Sequence, residues 1–255
     1  KRLYKSGFFK DVSVKIESNN LTIDVLENPI IQTVFINGIK RKKTEEALYE
    51  ILSLKNRSSY NSVSIKKDED AILNYLKEKG FYFSKIVSFF QDLGDNRIDL
   101  YYEIELGDKA KISKISFVGD KKFKDSTLRS VILSEEYKFW KFISGKKYLN
   151  EQLVNYDKRL LNNFYKNKGF YNVKINSSFA NYLGNSEFEI LYNVKAGKKF
   201  YFNEFILNLP IAYELDNFNQ LNKIFNDLKG EKYSLNSIDK ILKEIDKIVL
   251  NQQFE

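Results

Sequence analysis

The stretch YKNKGFYNVKI, Tyr165 to Ile175, joins a lysine-rich, helix-like segment to a glycine, an aromatic pair and an alternating, strand-like segment. Two related stretches, YLKEKGFYFSKIV (Tyr75–Val87) and LYKSGFFKDVSVKI (Leu3–Ile16), repeat the same order of residue types. When the three are aligned on their glycines, each has Phe one position later and an apolar or aromatic residue four positions earlier. Such an internal repeat predicts a chain built from several small, similar units.

An amphipathic helix is predicted before each glycine, and the segment before Gln253-Phe254 provides a fourth copy at the same spacing. In the third copy the apolar residues that share one helical face are Leu153, Tyr156, Leu160 and Phe164. The lysines in the last turn suit the negative end of the helix dipole, and the glycine suits the left-handed residue that follows a helix. The tyrosines that begin these helices are predicted to cap or staple them: Tyr60, Tyr148 and Tyr233.

Strand patterns flank each helical region. Alternating residues and a turn after each glycine predict a β-hairpin, and the strands that open the units are predicted at TVFING (Thr33–Gly38), KISFVGD (Lys114–Asp120) and YFNEFILN (Tyr201–Asn208). A first helix is predicted at about Thr44–Leu52 and Ser126–Leu133, with Thr44 and Asp125 or Ser126 as N-caps. The unit is therefore β-α-α-β-β, an α+β fold in which two helices cover one sheet.

Four units are predicted along the chain, at residues 1–28, 29–108, 109–199 and 200–255, the first and last of them incomplete. Glycines at the ends of the complete units permit bending between neighbours. The predicted inter-domain hinges are Gly107, Asp108, Gly197 and Lys198.

Composition excludes several kinds of chemistry. The 255 residues contain neither cysteine nor histidine, which removes disulfides, Cys or His metal sites and His-activated nucleophiles. Neither a P-loop nor a dinucleotide motif is present, and the acidic run Asp68-Glu69-Asp70 is interpreted as the solvated start of a helix, not as a metal site. We therefore predict no enzyme activity, no cofactor and no metal. No apolar run is long enough for a membrane helix.

The tandem β-α-α-β-β units, with Gly-Phe at the junction of helix and hairpin, resemble POTRA domains. Residues Glu135–Ile175, with the insertion around Trp140, are similar to a POTRA repeat of the BamA family of outer-membrane β-barrel assembly factors. This resemblance implies a non-enzymatic protein on the periplasmic side of the outer membrane, with a C-terminal membrane barrel outside this sequence. It also implies as partners unfolded outer-membrane β-barrel proteins and the accessory lipoproteins of the assembly machine.

Strand addition is the binding mechanism open to such a unit, because an exposed sheet edge offers unpaired backbone groups to an extended guest. In the family the third strand is central and the strand after the glycine is at the edge. The edge residues that this implies are Ser84, Lys85, Ile86, Val87 and Ser88 in one unit, and Val173, Lys174, Ile175, Asn176, Ser177, Ser178 and Phe179 in the next. The alternative is that Val173, Ile175 and Phe179 only pack inward.

Other interpretations remain open at the level of sequence. Related POTRA-bearing proteins include TamA-type factors and two-partner secretion pores. A KH-type RNA-binding protein shares part of the element order, but its Gly-x-x-Gly loop is only half matched by GKKY (Gly145–Tyr148) and GEKY (Gly230–Tyr233), so we predict no nucleic-acid partner. Trp140 and its aromatic neighbours form either an exposed contact surface or a cover over the core.

Overall fold

The computed structural model describes residues 7–17, 20–140, 144–209 and 214–251. These form two compact units, of which the first ends at Ala110 and the second begins at Lys111. The elements of the first unit are β1 (Phe9–Glu17), β2 (Asn20–Glu27), β3 (Ile30–Asn37), α1 (Lys42–Ile51), α2 (Ser62–Glu78), β4 (Lys85–Gly94) and β5 (Arg97–Glu105). Those of the second unit are β6 (Lys111–Asp120), α3 (Asp125–Val131), α4 (Glu151–Lys166), β7 (Lys174–Gly184), β8 (Glu187–Lys195), α5 (Asn219–Leu228) and α6 (Leu235–Asn251).

Two three-stranded mixed sheets have the same topology. In the first, β5 is central, parallel to β3 and antiparallel to β4; in the second, β8 is central, parallel to β6 and antiparallel to β7. Strands β1 and β2 form a separate antiparallel hairpin. The first core joins apolar side chains of α1 and α2, such as Leu48, Ile72 and Leu76, to the inner face of β5, including Leu100 and Tyr102. The predicted α+β fold and its β-α-α-β-β units are confirmed.

The glycine of the repeat ends a helix, as predicted. Gly80 and Gly169 have φ angles of 90° and 99°, which a residue with a side chain rarely adopts. In the first unit the carbonyl oxygen of Gly80 also accepts a hydrogen bond from the N–H of Ala110, at 2.9 Å, just beyond β5. In the second unit the carbonyl oxygen of Gly169 accepts one from the N–H of Phe200, at 2.8 Å, beyond β8. The repeated glycine thus ties each helix end to the chain that leaves the sheet.

The acidic run at Asp68 was interpreted wrongly as a solvated helix start. Asp68 lies inside α2 and is only 1% exposed. Its carboxylate accepts hydrogen bonds from the N–H and hydroxyl of Ser53, each at 2.7 Å, from the N–H of Leu54 at 3.0 Å and from the Tyr102 hydroxyl at 3.0 Å. It therefore satisfies the backbone just after α1 and joins that segment to the central strand.

The second unit repeats this arrangement with Asp157, which is fully buried in α4. Its carboxylate accepts from the N–H groups of Leu133 and Ser134, at 2.6 and 3.1 Å, and from the Tyr192 hydroxyl on β8 at 3.1 Å. Burial, and then the adjacent carboxylate, raises the pKa of Tyr192, and the same causes raise the pKa of Tyr102. Each aspartate lies twelve residues before the repeat glycine, so it belongs to the repeat.

The apolar face predicted for α4 is displaced by one residue from the face that is buried, which includes Asp157. The buried residues of α4 are Val154, Asp157, Leu161 and Tyr165. Tyr156, which was predicted to be on the buried face, is 42% exposed. An apolar periodicity cannot place a buried carboxylate, because its burial depends on donors that are distant in sequence.

The predicted N-caps are also wrong, and Tyr60 and Tyr148 do not cap their helices; that these tyrosines staple them stays a prediction. Asn61 and Asn150 are the side chains that cap α2 and α4: Asn61 accepts from the N–H of Val63 at 2.9 Å and Asn150 from that of Leu153 at 2.8 Å. The N-cap positions of α1 and α3 are Arg41 and Lys124, neither of which makes a side-chain cap hydrogen bond. Both helices begin before the predicted Thr44 and Ser126, in the latter case by one residue.

The predicted third opening strand, Tyr201–Asn208, is absent. Tyr201 forms one isolated bridge with Lys232, and residues 202–209 have no strand structure. Leu207 and Leu209 nevertheless pack against a small core that contains Phe218, Leu221 and Ile248. A strand requires a neighbour to complete its hydrogen bonds, and no described strand pairs with this segment.

Candidate peptide-binding edges

The β3 edge of the first sheet is covered by the segment that links α1 and α2. The N–H of Ile31 donates to the carbonyl of Ser58 at 2.9 Å, and the N–H of Arg57 donates to the carbonyl of Ile31 at 2.7 Å. Further along β3, the N–H of Val34 donates to the Asn56 side chain at 2.9 Å. The backbone groups of Ile31 and the N–H of Val34, in the first half of β3, are therefore already used within the unit.

The β6 edge of the second sheet is covered in the same way. The N–H of Tyr137, in the segment between α3 and α4, donates to the carbonyl of Ile112 at 2.6 Å. The N–H of Ile115 donates to the Glu136 carboxylate at 3.1 Å, and Lys111 forms an isolated bridge with Tyr148. In both sheets the interhelical segment thus occupies the first half of the edge of the first strand.

Strands β4 and β7 form the opposite edges. Each is the terminal strand of its sheet, and no described strand other than β5 and β8, respectively, pairs with it. These are the strands that follow the repeat glycines, so the edge position that the POTRA resemblance implies is observed. An edge of this kind has one row of backbone groups directed away from its own sheet.

The predicted edge residues differ in their exposure and in the contacts that their side chains make. In the first unit Ser84 immediately precedes β4, where its hydroxyl donates to the carbonyl of Leu106 at 2.9 Å. Val87 is 63% exposed, whereas Ile86 packs against the core. The Ser88 hydroxyl donates to the Glu69 carboxylate at 2.5 Å. Lys85 forms a surface ion pair with Glu105 across the hairpin, at 4.0 Å.

In the second unit Val173 and Ile175 are buried, at 5% and 8% exposure, so the interpretation that their side chains pack inward is correct. Lys174 and Asn176 are exposed, and Ser177 is half-buried. Ser178 and Phe179 belong to the backbone of β7, but their side chains lie outside the described part. On this strand a guest would therefore meet backbone groups and short polar side chains.

A groove runs beside β7, between that strand and α4. Its lining is polar and basic except for Ile175, and the other residues are Asn155, Lys158, Arg159, Asn162 and Asn163. The groove places lysine, arginine and amide side chains along the same edge as the terminal strand. It could accommodate the side chains of a segment that adds to β7.

The predicted hinge glycines both have positive φ, 64° at Gly107 and 74° at Gly197. A Cβ at Gly107 would lie 3.1 Å from the carbonyl oxygen of Phe83, whereas none of the described atoms lies within 4 Å of one at Gly197. The N–H of Gly197 donates to Asp120 at 3.2 Å, and hydrogen bonds from Lys122 and Gly197 lower the pKa of that carboxyl. That Gly107, Asp108, Gly197 and Lys198 act as hinges stays a prediction.

In the insertion between α3 and α4, Phe139 and Trp140 are exposed, Tyr137 is half-buried, and Phe142 lies outside the described residues. Trp140 is 58% and Phe139 73% exposed, and their rings contact edge-to-face at 4.6 Å. Of the two interpretations given above, the exposed one is correct for these residues. Gly145 and the two lysines after it form a 3₁₀ turn in which Lys147 is only 4% exposed. In this half-matched glycine loop Gly145 and Lys146 are exposed, and only Lys147 is buried.

These units define a known class of protein. The model of the POTRA family, a surface antigen variable number repeat, matches residues 29–107 and 110–197. Because the match covers well over half of the sequence, the chain belongs to the POTRA family. The KH interpretation is therefore wrong.

Within that class the chain is similar to outer membrane protein assembly factors. It is 27% identical over 177 residues to BamA of Neisseria meningitidis serogroup B, covering 69% of this chain and 22% of that protein. It is 25% identical over 255 residues to BamA of Buchnera aphidicola, covering 96% of this chain and 40% of that protein. The resemblance to the BamA family is confirmed, and the chain spans less than half the length of these relatives.

A crystal structure of Haemophilus influenzae BamA POTRA3-5 is also similar, at 22% identity and a TM-score of 0.39, covering 73% of this chain and 71% of that one. Because this TM-score is below 0.5, the family assignment rests on the match to the POTRA family model. In the part of the chain that the structure describes, no helix combines the length and apolarity needed to cross a membrane.

Proposed function

We propose that these POTRA units receive extended segments of unfolded outer-membrane β-barrel precursors by strand addition at β4 and β7. The observation that supports this most is the asymmetry of the sheets: the interhelical segment covers the first half of the β3 and β6 edges, whereas β4 and β7 end their sheets without a second described strand. Main-chain pairing depends little on guest sequence, which suits a receptor for many precursors.

The proposed setting is the periplasmic side of the outer membrane, as part of a BamA-type assembly factor. Accessory lipoproteins of the assembly machine are further candidate occupants of the same edges. The proposed role needs no catalytic group, cofactor or nucleic acid. A TamA-type factor or a two-partner secretion pore could bind guests at the same strand edges. The division of the chain into four units is also part of this proposal.

A titration of the chain with a peptide of about ten residues from a barrel strand tests the proposal. Amide chemical shifts should move along β4 or β7 and remain unchanged in the first halves of β3 and β6, because those parts of the edges are already paired. Single-stranded RNA is the control ligand and should produce no such shifts. Shifts confined to the covered edges, or to residues outside both sheets, would contradict edge docking.

Proline at adjacent positions of β7 tests the backbone mechanism directly. Neighbouring N–H groups in a strand point in opposite directions, so one of Asn176→Pro and Ser177→Pro removes an outward donor and the other a donor to β8. The outward variant should stay folded and lose about three- to tenfold in affinity for a peptide that docks on β7. Unchanged affinity in the variant that retains native circular dichroism would show that guests of β7 dock elsewhere.

A further inference from the structure

Three aromatic rings form a ladder across the first sheet, on the face opposite to the helices. Phe35 on β3, Tyr101 on β5 and Phe89 on β4 are direct partners in the strand register. The ring centroids of Phe35 and Tyr101 are 4.8 Å apart, those of Tyr101 and Phe89 are 5.1 Å apart, and the rings are inclined by only 13° and 7°. Phe89 remains 48% exposed.

The spacing of the rings matches the separation of the strands, about 4.8 Å. One more strand beside β4 would place its side chain opposite Phe89 at the next position of the ladder. Phe89 stacks on Tyr101 through one face, and none of the described aromatic rings stacks on its other face. That open ring face is directed to the edge at which the proposed guest pairs.

We infer that β4 selects extended segments carrying an aromatic side chain in register with Phe89. This inference rests on the proposed function, because only a paired strand brings a guest side chain to that position. Aromatic pairs on neighbouring strands stabilise strand pairing beyond the backbone hydrogen bonds. A guest aromatic would extend a stack whose rings are already aligned.

The second sheet lacks this feature. The residues at the same register positions are Ser116, Leu191 and Ser178. Ser116 and Lys114 instead donate to Glu189, whose pKa these hydrogen bonds lower. Selection for an aromatic is therefore a property of the first sheet, and the β7 edge has no equivalent ring to stack on.

Two threonine-rich peptides of about ten residues test the inference. One carries a central Phe, and the second has Ser in place of that Phe. The Phe peptide should bind at β4 about three- to fivefold more tightly than the Ser peptide. Amide shifts of Lys85–Gly94 report binding at this strand.

Two variants test whether the ring of Phe89 causes the preference for the Phe peptide. Phe89→Leu keeps an apolar side chain but no ring, so the preference for Phe over Ser should fall to within about twofold. Phe90→Leu is the matched control, because Phe90 is 50% exposed on the neighbouring position and contacts Tyr60 on the other face. It should retain the preference.

The outcomes separate the two proposals. Equal binding of the Phe and Ser peptides at β4, or a preference that persists in Phe89→Leu, overturns the aromatic selection and leaves edge docking intact. If neither peptide shifts the amides of β4, edge docking at this strand fails, and the selection fails with it.

Discussion

At the scale of single residues, a buried carboxylate organises each unit. Asp68 and Asp157 lie inside their helices and accept hydrogen bonds from the backbone that follows the first helix and from a tyrosine on the central strand. A buried charge is stable only with such partners. Each aspartate therefore joins the second helix of its unit to the segment after the first helix and to the central strand.

Replacing either aspartate should weaken its unit. In Asp157→Asn the amide provides one acceptor oxygen and brings donor hydrogens to a site whose neighbours are donors, so unfolding should become easier by about 2–4 kcal/mol. Urea denaturation followed by circular dichroism measures the change. Asp70→Asn is the matched control: its side chain is 62% exposed, and the loss should stay below about 0.5 kcal/mol. Equal effects of the two changes would contradict the role of the buried carboxylate.

At the scale of elements, the segments between the helices decide which sheet edge is available. They pair with β3 and β6, end at an asparagine N-cap and lead into α2 and α4. A cap satisfies backbone N–H groups that the first turn of a helix cannot pair. The asparagine thus determines where the covering segment stops and the helix begins.

The asparagine caps should contribute measurably to stability. Asn61→Ala and Asn150→Ala each remove the acceptor for the first turn, and each should cost about 1 kcal/mol. Thr44→Ala is the control, because Thr44 lies inside α1 and provides no cap. Thermal or urea unfolding of the three variants gives the comparison. A Thr44→Ala loss as large as that of the asparagine variants would show that the cap assignment is wrong.

At the scale of the whole molecule, the two units are built around separate hydrophobic cores. The first core draws its buried residues from β3 to β5, and Asp68 belongs to that unit, whereas Asp157 belongs to the second. Mutations without shared partners add in their effect on stability.

The loss of stability caused by a substitution should therefore be confined to the unit that contains it. Asp157→Asn should increase amide hydrogen exchange in β8 and α4 and leave the protection of β5 and α2 unchanged, and Asp68→Asn should do the reverse. The double variant should show both effects at their single-variant size. Exchange that rises in both units after one substitution would mean that the units unfold together.

Much of the fold and part of the site follow from local sequence. The repeat glycines, the lysine-rich helix ends and the alternating hairpins predict the β-α-α-β-β order, because each is a local backbone preference. The resemblance to POTRA domains further predicts that β4 and β7 lie at the edges of their sheets. Periodicity fails at α4, where Asp157 occupies a position that an apolar pattern assigns to solvent.

Only the tertiary structure shows which groups meet. The coverage of β3 and β6, the burial of Asp68 and Asp157 and the stacking of Phe35, Tyr101 and Phe89 all join residues that are far apart in sequence. Their hydrogen bonds and ring contacts exist only after the strands have paired. The sequence by itself determined the elements and their order, because these depend on neighbouring residues. Which edge of each sheet is left without a pairing strand, and which side chains lie beside that edge, depends on tertiary packing.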